Sequence, residues 1–136
     1  MNEWLVPTFT TLIMYGLWGW FPKLAGNYLD PKSAWVWEAI AYAVFSAIII
    51  IVLGIKPAFH PKGVLFASLT GISGALGTLF FFIAISKYKV SVVTTITALY
   101  PIITLILSFL VLREVITLKQ GLGILLALVS LYFITS

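Results

Sequence analysis

The sequence predicts an all-α, polytopic membrane protein in which five membrane-spanning helices form a single domain over residues 1–136. Three observations carry that expectation. The chain is 62% apolar and only 9% charged over 136 residues, with a mean hydropathy of +1.14, whereas soluble domains average about 45–50% apolar and about 25% charged. Its apolar stretches recur five times, each near the ~20 residues that cross the hydrocarbon of a bilayer. The intervening segments are short and collect the lysines and most of the prolines. No length remains for a soluble domain, so any chemistry belongs within the bilayer or at its edges.

The first span is expected over residues 4–21. It begins almost at once, with no basic segment before it and no small-residue cleavage site after it, so it reads as a retained span and not a signal peptide. Pro7 falls in its opening turn, where a missing N–H costs nothing, and Lys23 is expected just beyond its end. Asp30 followed by Pro31 reads as an N-cap and first helical residue, opening a second span through Trp35, Trp37 and Glu38 to about residue 53, where Gly54 ends it. Residues 56–63 carry two prolines among polar neighbours and read as the clearest loop. A third span is expected over 64–85. Residues 86–89 form a connection too short for anything but an antiparallel return. The fourth span, 90–112, contains Pro101, which removes a helix hydrogen bond and predicts a bend near 99–102. Thr117 with Gln120 three residues later resembles a capping box and opens a fifth span to about residue 134.

Eight basic against four acidic residues give a net charge of +4. These cations are single lysines at span ends, not a stripe, which argues against nucleic acid as a partner and for lysines snorkelling to lipid headgroups. Numbered along the loops, Lys56, Lys62, Arg113 and Lys119 fall on one membrane side and Lys23, Lys32, Lys87 and Lys89 on the other, four against four. Asymmetry of Lys and Arg in short loops normally sets orientation. With an odd number of spans and a tied count, the chain is suited to insert both ways up and to supply both halves of an antiparallel homodimer. There is no cysteine, and no metal-ligand cluster, nucleophile–base arrangement or phosphate loop is visible. Cofactors, metals and enzymatic activity are therefore not expected.

Small and polar residues mark contacts between membrane helices. Gly71, Gly74 and Gly77, with Thr78 beside them, read as a close-packing face of the third span. Thr94, Thr97, Pro101, Thr104 and Ser108 follow one side of the fourth span, and Thr8, Thr11, Tyr15 and Trp18 repeat that spacing in the first. Together the two stripes predict a shared polar, aromatic-walled cavity, although each hydroxyl alone is as well explained by bonding to its own helix. Tyr15, Trp18, Lys23, Thr94, Thr97 and Tyr100 are the candidate substrate contacts, and Pro101 the candidate hinge. Glu38 lies about 10 Å inside its helix. It either exchanges protons or meets a cation there, which makes it the candidate coupling residue, or it pairs with Lys23 or Lys32. Glu3 and Glu114 read as interfacial, and His60, between two prolines, as a loop residue. Trp35 and Trp37 suit an interfacial belt.

The segment Trp18, Gly19, Trp20, Phe21, Pro22, Lys23 resembles the end of the first helix in EamA-type repeats of the drug/metabolite transporter superfamily. The stretch 91–101, then Arg113, Glu114, Gln120 and Gly121, resembles the fourth helix of that repeat, its proline, the following Glu, and the Gln and Gly that open the fifth helix. The resemblance covers nearly the whole chain in order and spacing. It implies one five-helix repeat, where typical members join two in inverted orientation around a central substrate cavity. It thereby implies a half-size transporter of small molecules in a prokaryotic inner membrane, working by alternating access with a second copy of itself. Glu38 departs from the basic residue that many relatives carry early in the second helix. Two alternatives stand beside this reading. A small-multidrug-resistance-type exporter has four helices and a carboxylate well inside the first, whereas here that helix has only Glu3 at its margin. A non-transporting scaffold or assembly subunit would bind a larger partner through the Gly71, Gly74, Gly77 face and take one orientation.

Overall fold

The computed structural model describes residues 4–113, 115 and 117–135. Among these every regular element is a helix, and there are no strands. It is an all-α polytopic membrane protein. Stretches Pro31–Val52, Pro61–Lys87 and Val90–Leu112 are each long and apolar enough to cross a membrane, and Leu118–Ser130 is a shorter apolar helix. Helix α1 (Leu5–Ala25) has 21 residues, about 30 Å of rise, but its Trp, Tyr, Thr and Gly residues make it less uniformly apolar. Two compact units divide the chain, one ending at Lys87 and one starting at Tyr88.

The first unit contains α1, α2 (Pro31–Val52) and α3 (Pro61–Lys87). α1 outlasts the expected span by one turn, so Lys23 sits inside its last turn instead of beyond it. Pro22 does not stop the helix, because a proline one turn from the end removes a single bond. Bonds from Gly26 N–H to the Pro22 carbonyl (3.0 Å) and Asn27 N–H to the Leu24 carbonyl (3.1 Å) close it. α2 opens as expected, with Pro31 in its first turn and Asp30 as N-cap. One Asp30 carboxylate oxygen accepts from the N–H groups of Lys32 (3.0 Å) and Ser33 (3.1 Å), and the other accepts from the Ser33 hydroxyl. At the far end Gly54 adopts a φ of 59°. Its N–H reaches the Ile51 carbonyl (3.2 Å) while Ile55 N–H reaches Ile50 (3.1 Å), the paired bonds of a Schellman stop that glycine adopts without steric cost.

α3 begins three residues earlier than expected and runs two residues further. Pro61 is its first residue, not part of a loop, and the His60 ring caps it by accepting from Gly63 N–H (3.3 Å). α2 and α3 run antiparallel, since Trp35 bonds to Ala75 and Thr78. α1 and α3 run the same way, with Trp18 on Phe81 and Lys23 at Ile85. Among the described residues Pro22, Ala34, Phe81, Phe82 and Ile85 are the buried apolar side chains of this unit. They place its core at the end where α1 finishes and α2 starts.

The second unit holds α4 (Val90–Thr97), α5 (Tyr100–Leu107), a π-helical turn (Ser108–Leu112) and α6 (Leu118–Thr135). The regular helix is interrupted where the bend is expected. The helix breaks at Ala98 and Leu99, and Pro101 lies in the first turn of α5. Pro101 has no N–H for the Thr97 carbonyl four residues back. Tighter bonds bridge the gap, from Leu99 N–H to Ile96 (3.2 Å) and from Ile102 N–H to Leu99 (2.9 Å). Arg113 ends the π turn with a φ of 56°. The capping box of α6 forms as expected. Gln120 N–H donates to the Thr117 hydroxyl (3.3 Å), and Thr117 N–H donates to the Gln120 side-chain carbonyl (2.8 Å). α6 packs on α4, and among the described residues Val93 is the buried apolar one here. Glu3 and Glu114 lie outside the described residues.

Candidate functional site

The polar chemistry of the first unit converges on the face of α3 that α1 and α2 both touch. Trp18 in α1 donates its indole N–H to a Glu38 carboxylate oxygen in α2 at 2.6 Å. The same indole stacks on Phe81 of α3, with ring centroids 5.0 Å apart and planes 24° from parallel. Phe81 is buried, Glu38 half-buried, and Trp18 keeps 39% of its surface exposed. The result is a bridge between two helices laid across an aromatic floor. Among the described residues Trp18 is the hydrogen-bond partner of Glu38, and no ion pair forms there. In place of the alternative pairing of Glu38 with Lys23 or Lys32, an indole holds the carboxylate.

Lys23 turns elsewhere. Its ammonium donates to the Ile85 carbonyl at 3.3 Å, where a cation complements the C-terminal end of α3. It borders a cleft of about 90 Å³ whose walls include Pro22, Asn27, Ala34, Phe82 and Ser86. A larger hollow of about 300 Å³ follows one face of α2 alone, from Lys32 to Ile40, and lacks a second wall. Trp35 is not only interfacial as its position suggested. It donates to the Ala75 carbonyl (3.0 Å) and the Thr78 hydroxyl (3.1 Å), locking α2 to α3 one turn from Glu38.

The candidate contacts divide between the units. Tyr15, Trp18 and Lys23 belong to the first, with Tyr15 largely exposed; Thr94, Thr97 and Tyr100 belong to the second, with Tyr100 exposed and Thr94 half-buried. Every stripe threonine bonds to its own helix. Thr8 and Thr11 donate to the carbonyls of Trp4 (2.6 Å) and Pro7 (2.9 Å). Thr94 and Thr97 donate to Val90 (2.6 Å) and Val93 (3.0 Å), and Thr104 reaches Tyr100 at 3.5 Å. A methyl group added at Gly71, Gly74 or Gly77 meets nothing within 4 Å, so that face is open in the single chain.

Lys23, Lys32 and Lys87 sit at the end of the first unit where α1 finishes, while Lys56 and Lys62 flank the opposite end. Among the described residues no group of three or more His, Cys, Asp or Glu side chains is arranged to hold a metal ion.

Sequence reasoning reached Trp18, Glu38 and Lys23 singly but missed Phe81 and the role of Trp35. Thr78 beside Gly77 was the available signal for Trp35, since a small residue next to a hydroxyl leaves room and an acceptor for an indole on a facing helix.

The chain is 26% identical over 123 residues to an uncharacterized protein of Methanocaldococcus jannaschii, which covers 90% of this chain and 89% of that one. No solved structure matches it. The sequence model of the EamA-like transporter family matches residues 3–136. With its apolar helices and near-complete match, the chain is a member of the EamA-like transporter family, an integral membrane protein of the drug/metabolite type.

Proposed function

We propose that this protein moves a small polar or amphipathic solute across a prokaryotic cell membrane by alternating access, as an antiparallel homodimer of one five-helix repeat. The observation that carries this reading is the tie of four loop cations against four in a chain with an odd number of spans. Short-loop Lys and Arg set orientation, and this distribution favours neither. Family membership supports transport, and two oppositely inserted copies would supply the inverted pair on which alternating access rests. Tyr15, Trp18 and Lys23 in the first unit, and Thr94, Thr97 and Tyr100 in the second, are the proposed solute contacts. Glu38 is the proposed coupling group and Pro101 the hinge.

The absence of cysteine makes the test direct. One Cys is introduced in the 56–62 loop and, separately, one at 86–89, and intact cells are labelled with a membrane-impermeant thiol reagent. Partial, comparable labelling at both sites is expected. Labelling at only one site would rule out dual insertion and favour a single-orientation scaffold, a reading that the open Gly71, Gly74, Gly77 face also fits.

A further inference from the structure

We propose that the Glu38 carboxylate, held by the Trp18 indole over Phe81, is the recognition group for a monovalent organic cation, an alkyl- or arylammonium whose charge it neutralises and whose apolar part lies against the exposed face of Trp18. The inference rests on the transport reading only for what happens after binding.

A carboxylate about 10 Å inside a membrane helix is costly unless a cation or several donors compensate it. Glu38 has one donor, the Trp18 N–H at 2.6 Å. The two nearest lysines along the chain do not compensate it. Lys23 is committed to the Ile85 carbonyl, and Lys32 lies exposed in the first turn of α2. With neither lysine paired to Glu38, an incoming cation, not an anion, supplies the compensation that this carboxylate lacks.

The aromatic geometry completes the match. Phe81 stacks on one face of Trp18, and 39% of Trp18 stays exposed, surface on which a ligand can rest. Tyr15 lies one turn away on the same side of α1. Indole faces attract cations, more strongly where water is excluded, and a hydrogen bond from indole N–H to carboxylate orients that face without consuming the carboxylate's second oxygen. Compact, strongly hydrated metal ions gain little from this arrangement. A quaternary or substituted ammonium gains from both parts of it.

The test uses the full chain in detergent and benzyltrimethylammonium as the probe, followed by isothermal titration calorimetry, with benzenesulfonate as a size-matched anion. Saturable binding of the cation, and at least tenfold weaker binding of the anion, is expected for the unmodified protein. Glu38→Gln should weaken cation binding tenfold or more, Glu38→Asp should restore part of it, and Trp18→Phe should weaken it several-fold. Absence of saturable cation binding, equal binding of benzenesulfonate, or a Glu38→Gln protein that elutes as wild type and binds as wild type would each overturn the site. The wild-type comparison of cation with anion decides the matter even where a variant fails to fold. The same probe in proteoliposomes separates the two readings. Glu38-dependent binding without uptake leaves the site standing and removes transport of this cation, whereas uptake of other solutes by a protein that shows no saturable cation binding leaves transport standing and removes the site.

Discussion

Asp30 shows how much one exposed side chain can organise in a protein with so few charges. Its carboxyl is held below its ordinary value of 3.8, first by the Ser33 hydroxyl and then by the N–H groups of Ser33 and Lys32. A group whose folded pKa is depressed adds stability that is full above its unfolded pKa and is lost as pH falls through the folded one. Asp30→Asn keeps an oxygen for capping but cannot ionise. Thermal unfolding of the detergent-solubilised protein should therefore show the variant less stable than wild type at neutral pH, with the gap closing as pH falls below the ordinary carboxyl value of 3.8; a gap independent of pH would show that the ionised form contributes nothing. Asp30 was legible in the sequence because its chemistry is local, an acceptor followed by proline at the start of an apolar run. The Trp18–Glu38 bond was not. Its partners stand twenty positions apart on different helices, and no periodicity along either helix reports which residue of the other it will meet.

At the scale of elements, Pro101 separates α4 from α5 without any loop between them. Pro101→Ala would restore an N–H for the Thr97 carbonyl, a bond worth about 1 kcal/mol, and close the break at Ala98 and Leu99. Amide hydrogen exchange over residues 98–102 should slow in the variant, and transport should fall several-fold as the joint stiffens. Slower exchange with unchanged transport would leave the bend structural and remove the hinge. The same residue type explains a misplaced boundary. Pro61 was read as loop and proves to be the first residue of α3, because proline favours both a turn and a helix's first position. The deciding partner, the His60 ring bonded to Gly63 N–H, is not among the common capping residues. Where a standard cap followed the rule, at Thr117 and Gln120, sequence and structure coincide.

For the whole molecule, the tied loop charges make orientation adjustable. Adding two lysines to the 56–62 loop should lock that loop to the cytoplasmic side, and adding two at 86–89 should lock the opposite insertion. Each locked form alone is expected to be inactive in uptake assays, and co-expression of the two to restore transport. Full activity of either form alone would eliminate the antiparallel pair. The helical membrane class was legible throughout because lipid demands apolar length from every span, whereas the meeting of side chains inside each unit depends on packing that composition does not encode. One property of both units bears on what could travel through such a protein. Thr8 and Thr11 in one, and Thr94 and Thr97 in the other, commit their only hydroxyl hydrogen to a backbone carbonyl. What remains outward on each is a methyl group and oxygen lone pairs. These four threonines, which look amphoteric in the sequence, are thus Lewis bases in their hydrogen bonding, able to receive N–H or O–H from a solute and unable to offer one to a carboxylate or a phosphate.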